Sequence, residues 1–467
     1  MFQKIHFPSY AQIRDFARNI YGRWQLFLVL FQWDAAYRRE VIVSILALTL
    51  VNYSIFDLDS PYDYIALLIE FAIIWFQLGN DYSILPREYR PSQNGAKFTV
   101  KTARNITYNS RTHPFRKILP PKSEEKLDMY NPFLSRSVSQ ETALCSDRVN
   151  DHLMTVKHMP YQIAKASKDY ISSVHQIRYL AIRVANKKQH TTNGEKLALN
   201  ASASALVGRS PIAVCKTNYF QALLTAEAFR SRIYRQNLRG VDEINTDMTQ
   251  YYPVENIEFE GKKRLRILDD YYECVAGHIG ATSLFFTENR RILMMFQGTG
   301  KVIDANKVQL GGSGSMDFAD IEGKPDEDLR DAIRKCMARE TAEETGLPQH
   351  YDHMYENTLI TGFFHWVDRA YKPEFSGITK AGSLNVMQEC QTDGDEITKV
   401  EEIPVTIHKI ADFKKVLAYV TKHKLPISLS ALMALHRMTV IAGYGDPGAS
   451  RKQKSIYKRV EEFLFSV

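Results

Sequence analysis

The chain has 467 residues, and its 60 basic against 53 acidic side chains leave a formal charge of +7. That length allows two or three domains, while so mild a basic excess, spread over the whole chain, does not mark a protein that grips a DNA or RNA polymer. Five cysteines, Cys145, Cys215, Cys274, Cys336 and Cys390, stand apart with no C-x-x-C pair, so neither a zinc site nor a disulfide framework is indicated, and a reducing cytosol suits the chain.

Trp24 to Trp33 (WQLFLVLFQW), with Arg23 in front of it, fits an interfacial helix and fits core packing equally. Val41 to Phe56 and Tyr64 to Gly79 are nearly all apolar and 16 residues long, separated by Asp57 to Asp63, which has three acids and no base. A bilayer core asks for roughly 20 residues, which flanking aromatics and Leu58 help to supply. A buried helical hairpin is the other reading. Charge placement selects between them. Lys4, Arg14, Arg18, Arg23, Arg38 and Arg39 precede the first run, and Arg87, Arg90, Lys97, Lys101 and Arg104 follow the second. Basic flanks belong on the cytoplasmic side. The expectation is a membrane region over 1–85 with transmembrane helices at about 41–58 and 62–79, in a multi-pass protein of the inner membrane with both termini cytoplasmic and the lipid bilayer as partner. Glu70, in the middle of the second run, then either lines a polar contact or pore or sits neutral against Asn52 or Ser54.

Residues 86–149 are rich in Pro, Arg, Lys, Ser and Asn and read as a polar linker. Residues 150–255 read as an α/β extension, with strands predicted at Tyr179–Val184, Leu197–Ala205 and Ile212–Lys216 and a helix at Tyr219–Gln236. On that helix Arg230, Arg232 and Arg235 near Tyr234 fit either a solvated face or a phosphate contact.

From 256 onward the pattern becomes that of a mixed α/β domain. Ala281–Phe286 and Ile292–Phe296 flank Glu288, Asn289 and Arg290, a hairpin signal. A Gly-rich stretch, Leu310 to Ser315, leads to Met316 and Asp317. Leu329, Ala332, Ile333, Cys336 and Met337 recur at helical spacing and predict a helix over Asp328–Thr345. A strand at Leu359–Val367, the segment Lys372-Pro-Glu-Phe375 and helices near Ala411–His423 and Ser428–Gly443 complete a mixed sheet with helices on it.

Within the predicted helix, residues 339 to 347 read Arg-Glu-Thr-Ala-Glu-Glu-Thr-Gly-Leu. Glu340, Glu343 and Glu344 at i, i+3 and i+4 share one helical face. Three carboxylates so close repel unless a cation lies between them, and a hard divalent cation takes oxygen ligands while leaving positions for phosphate oxygens. Arg339 can hold one carboxylate, and Gly346 can take the left-handed turn that ends the helix.

This run resembles the box of the Nudix hydrolase superfamily, G-x5-E-x7-R-E-U-x-E-E-x-G-U with U aliphatic. The closing half matches apart from Thr341 at an aliphatic position. The opening half departs, with Pro325 at the first Gly position, Gly323 two residues earlier, and Asp331 in place of the first Glu. The resemblance implies an α/β/α sandwich over 256–467 with its box at 325–347. It also implies Mg²⁺ or Mn²⁺ on Glu340, Glu343 and Glu344, with Arg339 orienting them, and hydrolysis of a phosphoanhydride in a nucleoside diphosphate derivative. Glu374 is the candidate base outside the box. Taken with the two apolar runs, the chain is similar to two-transmembrane Nudix effectors of bacterial cyclic-oligonucleotide antiphage signalling (CBASS). That likeness implies a homo-oligomer that senses or hydrolyses a nucleotide or cyclic oligonucleotide and kills the infected cell through its membrane. A membrane-tethered hydrolase is the alternative.

Overall fold

The computed structural model of the protein describes residues 98–134, 141–165, 176, 179–180, 182, 194–236, 240–298, 307–321, 328–390 and 397–466. The two apolar runs at 41–58 and 62–79, Glu70 within the second, and the 24–33 stretch lie outside those residues. Among the described residues no helix is long and apolar enough to cross a membrane. The longer helices there are 15 or 16 residues, against the roughly 20 apolar residues that a span requires. The expected transmembrane hairpin is therefore corrected to a mixed α/β fold without a shown span. The multi-pass inner-membrane placement is withdrawn with it.

Backbone contacts divide the chain into two units. The first comprises Met1–Thr102, Ser172–Asn193 and Ser231–Met248. Its sheet has β8 (Ser231–Gln236) between β1 (Phe98–Thr102) and β9 (Asp242–Asp247), all antiparallel. The helix expected over 219–236 thus ends early. Tyr219–Ala222 is α-helical, Leu223–Glu227 is a π turn and Ala228–Arg230 is 3-10, after which the chain is extended. Burial alternates over the first four residues of β8, with Ser231 and Ile233 inside and Arg232 and Tyr234 half-buried, the period-2 signature of a strand. No cationic helix face results. Arg232 pairs with Asp247 at 2.9 Å, and in the second unit Arg230 is buried between Glu227 and Glu141 at 2.9 and 3.2 Å. Tyr179 and Leu180, expected in a strand, are helical.

The second unit comprises Ala103–Ile171, Gly194–Arg230 and Thr249–Val467. It is built on a five-stranded sheet of β4 (Ala143–Cys145), β12 (Gly280–Phe286), β15 (Ser313–Ser315), β16 (Thr358–Trp366) and β17 (Lys372–Lys380), in the order β15-β12-β17-β16-β4. β12 and β17 run parallel and the other pairings are antiparallel. Alternation sorts the side chains onto two faces. Leu284, Phe286, Phe364, Trp366 and Ile378 join one core with the Leu429–Gly443 helix. Ala281, Ile360, Phe363 and Phe375 join another with Leu329, Ile333 and Met337 of the Leu329–Glu344 helix. A Cβ built on Gly377 would meet Met337 Sδ at 2.6 Å, and one on Gly362 would meet Arg437 Cγ at 3.3 Å, so each face is closely covered by its helix. Each large apolar side chain buried in this way is worth about 1.5–3 kcal/mol.

The remaining strands lie around that sheet. β13 (Leu293–Gln297), β14 (Val308–Gln309) and β18 (Ile397–Glu402) form a sheet in the order β14-β13-β18. β5 (Tyr161–Ile163), β6 (Glu195–Leu199) and β7 (Ile212–Asn218) form another in the order β5-β7-β6. β2 (Asn105–Tyr108) and β3 (Arg111–Pro114) make one hairpin, and β10 (Val254–Phe259) and β11 (Lys262–Ile267) a second. Glu260 and Gly261 both have positive φ, 50° and 68°, the backbone that a two-residue hairpin turn requires. The hairpin expected between 281 and 296 closes by only one bridge, Phe286 to Ile292, after which β13 departs to its own sheet.

The segment expected to be a polar linker belongs to the second unit from residue 103 on. Ile106, Phe115, Ile118, Leu127 and Phe133 are buried, and β4 is the edge strand beside β16. Glu124 is fully buried and accepts from the Ala203 amide at 2.8 Å and the Tyr371 hydroxyl at 2.7 Å. His365 Nε2 lies 3.4 Å from the same carboxylate. The boundaries drawn at 149/150 and 255/256 therefore cut through one folded unit.

Candidate metal and phosphate site

The acidic helix begins and ends where its sequence signals place it. Asp328 caps the start, accepting from the Arg330 amide at 2.6 Å. At the other end Gly346 has φ 70°, its amide bonds to the Glu343 carbonyl at 3.1 Å, and the Leu347 amide reaches back to the Ala342 carbonyl at 2.8 Å. That pair of bonds is the Schellman closure, and it needs the left-handed residue that glycine supplies. Leu347 is buried with Ala338 and Ala342, the apolar contact that accompanies such an ending.

The Gly-rich run forms the surface on which the helix rests. A Cβ on Gly312 would fall inside 3 Å of the Thr341 backbone, and one on Gly314 would overlap the Glu340 carboxylate. Between these glycines, the Ser313 amide donates to Glu344 Oε2 at 3.0 Å. Thr341, the departure from an aliphatic position, is fully buried. Its hydroxyl donates to the Met337 carbonyl at 2.7 Å and pairs with Ser283 Oγ at 2.8 Å, so the polar atom placed in the core is satisfied.

Two of the three glutamates, Glu340 and Glu343, converge on Arg339. Its guanidinium donates to Glu340 Oε1 at 2.7 Å and lies 3.7 Å from Glu343. On its other side it meets Asp317 at 3.2 Å and Asp320 at 3.3 Å. Asp317 in turn is ion-paired with Lys196. The side chain of Glu340 is 14% exposed and that of Glu343 57%, and Glu344 is buried. Burial pushes the Glu340 carboxyl up to about 7, with Arg339 and Lys196 opposing and the adjacent Glu344 and Glu343 carboxylates adding to the rise. Burial also raises Glu343, against the pull of Arg339. Five carboxylates, Asp317, Asp320, Glu340, Glu343 and Glu344, thus share one patch with two cations, Arg339 and Lys196.

Asp317, Asp320 and Lys196 were not singled out in the sequence. The two aspartates follow the Gly-rich run at a spacing of three and cap the short 3-10 turn Phe318–Asp320, a signal that can be read locally. Lys196 has no such signal. It reaches the site because β6, from the expected extension, bridges to Asp317 through Lys196 and to His278 through Ala198.

Glu374 does not join the cluster. It sits inside β17, paired with Gly280, and is buried against Lys372. A Cβ on Gly280 would overlap the Glu374 carboxylate, so the two share a face. Its neighbour Phe375 faces the acidic helix, and alternation sends Glu374 to the opposite face of the sheet. Asp331 is also apart, 3.4 Å from Arg334 in the first turn of the helix. Pro325 and Gly323 lie outside the described residues.

The donor set suits a hard divalent cation in chemistry, since it consists of carboxylate oxygens in negative excess on a glycine-lined floor. In arrangement the fit is incomplete. Among the described residues no group of three or more His, Cys, Asp or Glu side chains is disposed to hold an ion, because Arg339 occupies Glu340 and the Ser313 amide holds Glu344. No protein-family model matches the chain, and no curated protein matches it.

Proposed function

We propose that the acidic helix and the Gly312–Gly314 floor form a divalent-cation site for hydrolysis of a phosphoanhydride, with a nucleoside diphosphate derivative as the substrate class. The observation that carries this reading is the delivery of Glu340, Glu343 and Glu344 to one glycine-floored patch whose carboxylates outnumber its cations. Glu340, Glu343 and Glu344 would hold Mg²⁺ or Mn²⁺. Such an ion, when bound, neutralises charge on the diphosphate oxygens and acidifies a water. Arg339 holds Oε1 of Glu340 and fixes that carboxylate's orientation. Asp317 and Asp320 hold Arg339 from behind, and Lys196 balances Asp317. Glu344, tied to the Ser313 amide, locks the last turn of the helix onto the floor. Glu374 has no part in this scheme, because it faces the other side of the sheet.

The test uses the full chain with Mn²⁺ or Mg²⁺ and a panel of nucleoside diphosphate derivatives. Glu343→Gln should lower kcat by about tenfold to a hundredfold, the scale on which metal-site partners act. As the most exposed of the three, it should leave the melting temperature unchanged. Turnover equal to that of the parent chain would remove the proposal.

A second reading keeps the pocket and omits turnover. The Arg339–Glu340 pairing and the incomplete ion geometry favour a receptor that recognises a nucleotide or cyclic oligonucleotide by its phosphates, as in a cyclic-oligonucleotide antiphage system. Tight binding of a cyclic dinucleotide that is recovered intact after incubation with Mn²⁺ would select it over the hydrolase.

A further inference from the structure

The Arg339 guanidinium stands between two sets of carboxylates. On one side its Nη1 donates to Glu340 Oε1 at 2.7 Å and lies 3.7 Å from Glu343 Oε2. A single nitrogen thus bridges two of the three glutamates, the position that an ion shared between them would take. A guanidinium and a divalent cation compete there, because the same oxygens attract both.

The other edge of the guanidinium faces Asp320. Nε lies 3.5 Å from Asp320 Oδ1, and Nη2 lies 3.3 Å from Asp320 Oδ2. This is the parallel pairing of an Arg–carboxylate fork. Both contacts are longer than the roughly 2.7–2.9 Å of a closed charge-assisted pair, so the fork stands open while Nη1 is held by Glu340. Nη2 also lies 3.2 Å from Asp317 Oδ2 and 3.4 Å from the Ser315 carbonyl. The receiving side is itself anchored. Asp320 Oδ2 accepts from the Asp317 amide at 2.9 Å, and Asp317 Oδ1 is ion-paired with Lys196. A movement of about half an ångström toward Asp320 closes the fork and draws Nη1 away from Glu340.

We propose that Arg339 is the gate of the glutamate site. Its guanidinium holds the position between Glu340 and Glu343 against a divalent cation, and Asp320 with Asp317 takes the guanidinium when that position is filled. The proposal rests on the divalent-cation reading above and adds what regulates entry. It requires Arg339 to lower the affinity for the ion, the opposite of what a side chain that only orients Glu340 would do.

Mn²⁺ titration of the full chain, read from the electron paramagnetic resonance signal of the free ion, measures that affinity without a substrate. Arg339→Gln should tighten Mn²⁺ binding at least about fivefold. Lys196→Gln removes the same charge from the patch, but from a side chain paired with Asp317, and should tighten binding less. Asp320→Asn should weaken binding in the parent chain and have a much smaller effect in Arg339→Gln, where no guanidinium remains to be received. If Arg339→Gln does not fold, Asp320→Asn decides against the parent chain, and unchanged affinity overturns the gate. Arg339→Gln binding no tighter than the parent, or tightened no more than Lys196→Gln, overturns the gate and leaves the cation site standing. Absence of Mn²⁺ binding in both the parent and Arg339→Gln removes the cation-site reading and the gate together.

Discussion

Gly312→Ala is expected to destabilise the protein by about 3 kcal/mol or more, the range reserved for severe clashes and buried disruptions. The added Cβ would lie inside 3 Å of the Thr341 backbone nitrogen and Cα. Backbone atoms of a packed helix cannot rotate away as the end of a flexible side chain can. The acidic helix would have to lift from β15, breaking the Ser313 amide to Glu344 bond and the Thr341–Ser283 pair together. Gly443→Ala is the control, because nothing lies within 4 Å of a Cβ there and alanine favours the helix by up to about 1 kcal/mol. Denaturant midpoints of the two variants should move in opposite directions. A Gly312→Ala protein with the parent's midpoint would show that the helix does not rest on this strand.

Arg437→Met is expected to cost about 3–5 kcal/mol, the scale for removing one partner of a buried ion pair. Arg437 is almost fully buried between the sheet and its covering helix. It donates to the Thr361 carbonyl at 2.9 Å, Asp151 at 2.7 Å and the Tyr444 hydroxyl at 3.1 Å. Tyr444 also donates to Asp151, at 2.8 Å. Methionine fills much of the volume but leaves the Asp151 charge and a strand carbonyl without their main donor. Asp151→Asn on top of Arg437→Met should recover part of the loss, since the uncompensated charge is then gone. Equal urea unfolding curves for Arg437→Met and the parent would contradict the importance of this link.

Much of the site's local structure could be read from the residues alone. The helix over Asp328–Thr345, its glycine stop and the shared face of three glutamates follow from periodicity and capping chemistry, which act within a few residues. The strand at Thr358–Trp366 and the helices ending in Lys422 and Gly443 follow for the same reason. The role of the Gly-rich run was visible only as a loop signal, because what its glycines accommodate is the backbone of a helix some thirty residues later.

Long-range placement was not legible. Glu374 lies in β17, an internal strand of its sheet. Pro373 is accommodated near the strand's start, before the ladder to β12 begins at Glu374, where a residue without an amide hydrogen is tolerated. Period-2 parity then turns Glu374 away from the box, and parity depends on a register that sequence does not state. Lys196 enters through a bridge between β6 and Asp317, which lie 121 residues apart. The polar composition of 103–149 concealed a small number of deeply buried anchors, Phe115 and Glu124 among them, whose partners lie far along the chain.

The central claim is that Glu340, Glu343 and Glu344 together attract a divalent cation. Anomalous diffraction from crystals of the full chain soaked in Mn²⁺ tests it most directly. The expected result is one strong peak among those three carboxylates, over Gly314 and beside Arg339. Density showing no peak there, with Glu343 turned to solvent and Glu340 still closed on Arg339, would contradict the claim.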